Sequence, residues 1–210
     1  RKLGGKPPKA PEPGPQAKDQ VNFTDSESRI MPVAGGGFEQ AYNAQAAVDM
    51  TTMLIVGNHV SQQPNDKQEV EPALAELERL PESLGTVEKA ALDAGFFSEH
   101  NLQCFEAKGI EPHIACGRQT HHPSLEERFA VPPPLPPDAD ALTAMQHRLK
   151  TEAGKQFYAK RKSTVEPVFG IIKAVMGFRR FMMRGFQAVT GEWTLVCIAF
   201  NLKRLFTLCG

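Results

Sequence analysis

The sequence has no apolar run approaching the ~18 residues that a membrane-spanning helix needs. Its best stretch, Trp193 to Leu202, is about half that length and is broken by Thr194 and Asn201. The opening residues are basic but lack the apolar core of a secretory leader. Cysteine is scarce: Cys104, Cys116, Cys197 and Cys209 show no CxxC spacing and no paired-His motif. That argues against a zinc site or a disulfide framework and fits a reducing cytosol. No internal repeat is visible. Net charge is missing too, with 24 Lys+Arg against 24 Asp+Glu over 210 residues.

The balance hides an asymmetry. Residues 148–210 hold 12 of the 24 basic residues and only three of the 24 acids. A basic C-terminal part on an acidic body points to a polyanion partner. The remaining composition, 41% hydrophobic and 23% charged, is that of a globular protein.

Residues 1–22 read as a linker, rich in Pro, Gly and Lys with almost nothing apolar. Gly35-Gly36-Gly37 reads as a flexible lead-in to a strand. From Tyr42 the pattern has period two, and a second apolar run starts at Met53. Together they predict an antiparallel hairpin over 42–49 and 53–61. Asp66 and Glu69 resemble a capping box before a helix over 67–80. A strand over 87–92, a helix over 98–108 staple-packed by Phe97 and Leu102, and a strand over 110–116 read as a parallel βαβ unit. Residues 117–141 form a Pro-rich loop. Its His121-His122 pair falls short of the three or four ligands that zinc takes. Helices are expected over 142–164, 166–176 and 192–208. Val165, Val168, Phe169, Ile172, Val175 and Met176 form the buried stripe of the middle one.

Two carboxylates stand out. Asp93 lies at the carboxyl end of a parallel strand, where open α/β sheets bind ligands. Glu166 is one of only two acids among ten basic residues between Arg148 and Arg184. Carboxylates from two separate elements suit Mg²⁺, which prefers hard oxygen ligands.

These residues also carry a family likeness. Tyr158-x2-Arg161 and Glu166-x6-Lys173 resemble the Tyr-Arg-Glu-Lys signature of bacterial insertion-sequence transposases of the DDE class. Four residues separate Arg161 from Glu166 where the usual pattern has three. The segments Tyr42–Asp49, Asp93–Phe96, Val165–Lys173 and Gly177–Phe181 resemble the same family in the same order, over roughly residues 20–205. The resemblance implies an α/β, ribonuclease H-like mixed sheet with helices packed on it, spanning residues 23–210. It implies metal-dependent phosphodiester cleavage and strand transfer at insertion-sequence ends. Asp93 and Glu166 match the second and third catalytic acids and would hold Mg²⁺ or Mn²⁺. Tyr158, Arg161 and Lys173, with Arg179 and Arg180, would contact DNA. The partners implied are double-stranded DNA and a second copy, as a homodimer assembled on the DNA, with no membrane. The implied setting is the bacterial cytoplasm, at the nucleoid.

The first acid is open to two readings. If the 42–61 hairpin is the second and third strand, the first strand and its Asp precede Arg1. Asp49 is then a turn residue. If Tyr42–Val48 is the first strand, Asp49 is the first acid and a strand is missing after it. The opening on Arg1 favours a truncated chain. Alternatives to an active transposase are a catalytically inactive remnant that binds DNA or a partner subunit, and a metallohydrolase acting on something other than DNA.

Overall fold

The computed structural model describes residues 21–33, 36–117, 130 and 132–210. Most of the predicted linker and of the Pro-rich loop, including His121-His122, lies outside them.

Six strands form three pairs. Strands β1 (Arg29–Pro32) and β2 (Phe38–Ala41) are antiparallel. This hairpin was not expected, because its strands are short and one ends in Pro32. Gly36 and Gly37 belong to its turn, with φ of 90° and 97°. Such angles suit glycine, which has no Cβ to clash. Strands β3 (Asn43–Val48) and β4 (Ile55–Ser61) make the expected antiparallel hairpin. Strands β5 (Lys89–Leu92) and β6 (Glu111–Ile114) are parallel and connected through α2 (Glu99–Ala107). The expected single mixed sheet is therefore not continuous among the described residues: β3 and β5 each have one edge without a strand partner.

The predicted capping box at Asp66 is absent. Helix α1 (Val70–Leu77) starts after a 3-10 turn over Asp66–Gln68, capped by the Asn65 side chain. The two carboxylates are engaged elsewhere. Asp66 accepts from Asn43 and Gln45 at 3.1 and 2.8 Å. Glu69, 1% exposed, meets His59 Nε2 and Ser61 Oγ, each at 2.6 Å. Pro72 fits the first turn because backbone N–H groups there need no helical acceptor. Helix α2 is capped by Ser98, whose hydroxyl accepts from the Asn101 N–H at 3.1 Å.

The helix expected over 142–164 is broken into α3 (Ala141–Lys150) and α4 (Glu152–Ala159). Thr151 turns the chain with ψ of 153°, and its hydroxyl caps α4 by accepting from the Gly154 N–H. A side-chain oxygen that competes for backbone donors opens a new helix start. The next helix, α5 (Val165–Gly170), runs into a π-helical segment over Ile171–Val175. Val168 and Ile172 are buried as the stripe predicts, but Val175 is 65% exposed. The wider π turn rotates the later positions off the core face. The last helix, α6 (Phe186–Cys209), starts six residues earlier than expected and runs for 24 residues.

Two apolar cores result. Ile55, Val60, Val168, Ile172, Val189, Trp193, Cys197 and Phe200 join β4, α5, the π segment and α6. Burial pushes the Cys197 thiol up to about 12. Val70, Leu74, Phe105, Ile110, Ile114, Met145 and Leu149 join α1, α2, β6 and α3. Polar clamps tie α6 to the hairpin, Thr194 Oγ1 to Asn58 Oδ1 and Arg204 Nε to Thr52 O among them. Trp193 Nε1 donates to Gln45 O at 2.9 Å, and the Asn201 amide engages both backbone groups of Ile55 at 2.8 Å.

Candidate active site

A groove of about 990 Å³ runs between the β3–β4 pair and the β5–β6 pair. Gln45 through Asp49 line one side and Lys89 through Asp93 the other. Successive strand residues point to opposite faces, so unbroken runs mean that the strand edges, not their faces, border the groove. Leu74 and Leu77 of α1, with Val165 and Phe169 of α5, supply apolar lining.

Asp93 and Glu166 meet in this groove. Asp93 follows β5 and opens a 3-10 turn without using its side chain as a cap. Glu166 is the second residue of α5. Arg161 Nη2 lies 2.8 Å from Asp93 Oδ1 and 3.8 Å from Glu166 Oε1. The two acids thus face each other across one nitrogen. Their side chains are 57% and 60% exposed, whereas Arg161 is 14% exposed. Arg161 Nε is buried with no hydrogen-bond partner among the described residues.

Tyr158 holds this arrangement from below. Its hydroxyl donates to Leu92 O at 3.2 Å, one residue before Asp93, and Arg161 Cζ lies 5.7 Å from its ring centre. Burial pushes the Tyr158 hydroxyl above its ordinary value, against the opposing pull of Arg161, so it remains a donor. Residues that the sequence did not single out complete the support. Asn43 and Gln45 hold Asp66, whose Oδ2 would sit 3.2 Å from a Cβ on Gly95. Lacking a Cβ, Gly95 lets the backbone just after Asp93 pass close to the Asp66 carboxylate. The amide pair at alternate positions of β3 was the available signal.

The other predicted residues do not join this cluster, although Asp49 borders the same groove. Asp49 sits in the β3–β4 turn. Its Oδ2 accepts from Thr51 N, Thr52 N and Thr52 Oγ1 at 3.2, 2.7 and 2.6 Å. Burial pushes this carboxyl up, but the Thr52 and Thr51 donors outweigh it and hold it below the usual range. No hydrogen bond or ion pair joins Asp49 to Asp93 or Glu166 among the described residues. Lys173, in the π segment, has its Nζ 6.0 Å from the Phe169 ring centre. Arg179 Nε donates to Lys173 O at 3.3 Å. Lys160, Lys162, Arg180 and Arg184 are exposed, as are Lys173 and Arg179. Arg161 differs from these cations in being turned onto the two acids.

The donor set fits a hard divalent cation. Two carboxylates from separate elements converge where one positive charge already stands. All-oxygen donors suit Mg²⁺ or Mn²⁺.

Residues 135–206 match the family model described as the transposase DDE domain. The match takes in Tyr158, Arg161, Glu166, Lys173, Arg179 and Arg180, while Asp49 and Asp93 lie outside it. No curated protein and no solved structure matches the chain. Among the described residues, no helix is long and apolar enough to cross a membrane.

Proposed function

We propose that the Asp93–Glu166 groove is the catalytic centre of a DNA transposase, cutting a phosphodiester at an insertion-sequence end and joining it to target DNA. The observation that carries this reading is the meeting of Asp93 and Glu166 on one guanidinium, beside a segment that matches the transposase family. Asp93 and Glu166 would hold Mg²⁺ or Mn²⁺. A divalent ion supplies easier deprotonation of water and neutralises charge on the leaving oxygen. With an ion held by the two acids and DNA bound, Arg161 would be free to turn its guanidinium to a backbone phosphate. Lys173, Arg179 and Arg180 hold further phosphates, fixing register rather than reading sequence. Tyr158 keeps the end of β5 seated through Leu92. Water attacks in line and the P–O3′ bond breaks; the freed 3′-hydroxyl then attacks a second phosphodiester. The working form is a homodimer assembled on double-stranded DNA, at the bacterial nucleoid.

The fold reading that goes with this is a ribonuclease H-like unit over residues 23–210. The unpartnered edges of β3 and β5, facing each other across the groove, support a first strand lying between them and bringing the first acid. The turn bonds of Asp49 weigh against its serving as that acid. The same bonds favour a second reading, in which the described chain has two acids and binds DNA without cutting it.

Nicking of supercoiled plasmid in Mg²⁺ or Mn²⁺ separates the two. The first reading expects metal-dependent nicking, reduced at least ~100-fold in both Asp93→Asn and Glu166→Gln, with DNA binding retained. Wild-type binding without nicking supports the second. Nicking that survives both substitutions refutes the proposed centre.

A further inference from the structure

A second cluster lies on the other side of α1. The groove is lined by Val70, Ala73 and Leu77, whereas Glu71, Ala75 and Glu78 line a separate hollow shared with α2. In that hollow Glu71 comes from the first turn of α1, and His100 and Cys104 come from α2. His100 and Cys104 are four residues apart and therefore share a helix face. His100 Nε2 lies 3.7 Å from Glu71 Oε2 and 3.6 Å from Cys104 Sγ. All three ligand atoms lie within 4.8 Å of one another.

We propose that Glu71, His100 and Cys104 form a zinc site that ties α1 to α2. Zinc bonds of about 2.0–2.3 Å in a tetrahedron set neighbouring ligand atoms about 3.3–3.8 Å apart. The two closest pairs already have that spacing, and the third closes with a small side-chain rotation. One sulfur, one imidazole nitrogen and one carboxylate oxygen make a borderline-soft set. It selects zinc over Mg²⁺, which wants oxygen alone. Glu71 and His100 are exposed and Cys104 is partly buried, so the fourth position opens to water. On binding, the Cys104 thiol loses its proton to solvent as the metal–sulfur bond forms. The absence of a CxxC spacing excludes a cysteine-rich zinc module. It does not exclude a three-ligand set drawn from two helices, and no short spacing announces Glu71 as the third member. This site is independent of the Asp93–Glu166 centre.

The test is titration of the metal-free full chain with Co²⁺ and Zn²⁺, with Cys209 replaced by Ser to remove the exposed thiol. The proposal expects a 1:1 thiolate-to-cobalt charge-transfer band that Zn²⁺ displaces. It expects loss of that band in Cys104→Ser, at least tenfold weaker binding in His100→Ala, and no change in Asp93→Asn. Zinc should also raise the melting temperature of the parent protein and not that of Cys104→Ser. A band that persists in Cys104→Ser, or zinc affinity equal across parent, Cys104→Ser and His100→Ala, overturns the site.

Discussion

Arg161→Met separates the two roles proposed for the guanidinium. The change keeps the stem that packs near Tyr158 and removes the charge from its place 2.8 Å from Asp93 and 3.8 Å from Glu166. In the absence of DNA the guanidinium would stay beside the two acids, and a separation of about 4 Å from an ion they held sets the scale of the repulsion. Two unit charges at that separation in water repel by about 1 kcal/mol, and a double charge by ~2. The water dielectric is the right one because both acids are more than half exposed. Physiological salt screens part of this, leaving ~1–1.5 kcal/mol. At 1.4 kcal/mol per tenfold, the Mn²⁺ dissociation constant should fall ~5- to 10-fold in the variant. The assay is titration followed by the Mn²⁺ paramagnetic resonance signal, with Asp93→Asn as the control that loses binding. Duplex DNA affinity should move the other way, with the log–log salt slope shrinking by ~0.9 for one lost phosphate contact. Mn²⁺ binding that is unchanged or weaker, in a variant whose circular dichroism melt matches the parent, would refute the shared-position argument.

The exposed pair Arg179 and Arg180 should act on DNA alone. Their double replacement by Ala should flatten the salt slope by roughly two units and leave Mn²⁺ binding as it was. An unchanged slope removes them from the DNA-binding face. Asp25 should make the fold acid-sensitive. Its carboxylate accepts from the Tyr42 hydroxyl at 2.9 Å and from the Gly185 N–H at 3.2 Å. Burial pushes that carboxyl up, but Tyr42 and the Gly185, Glu27 and Ser28 backbone donors outweigh it and hold it low. A depressed carboxyl contributes its stability above the unfolded value of ~3.9 and loses it as pH falls through the lower folded one. Urea midpoints of Asp25→Asn should therefore decline less than those of the parent between pH ~5 and ~3. Parallel decline would mean that Asp25 is not a source of the acid sensitivity.

Much of the chain was legible because local patterns dominate it. Alternation named β3, an apolar run named β4, and Ser98 announced the start of α2, where its hydroxyl accepts from the Asn101 N–H. The misreadings share a cause: a polar group with two suitors. Asp66 and Glu69 look like partners in a capping box three residues apart. The fold instead gives Asp66 to Asn43 and Gln45, and Glu69 to His59 and Ser61. Nothing in a one-dimensional spacing ranks those distant partners against the local ones. Thr151 was lost in the same way. Inside a basic, helix-favouring run it reads as one more helical residue, yet its hydroxyl claims the Gly154 N–H and starts a new helix. At the site, Asp93 and Glu166 were legible as residue types at strand end and helix start. Arg161 as the group that unites them was not, because the ion pair to Asp93 closes a loop of nearly seventy residues.

The corner between α3 and α4 leaves room for nothing larger than hydrogen. A Cβ placed on Gly154 would fall 1.9 Å from the carbonyl oxygen of Arg148. Backbone meets backbone there, so no neighbour can swing aside to make space. The same corner is held by Thr151, whose hydroxyl donates to Arg148 O and accepts from the Gly154 N–H. Arg161 sits just past the far end of α4, so this one tight crossing acts as a pivot that aims a cation at two carboxylates on other elements. Among the described glycines, Gly154 is the one where an added side chain would meet the closest obstruction. It is also where an engineer could detune the site from a distance, without altering Asp93, Arg161 or Glu166.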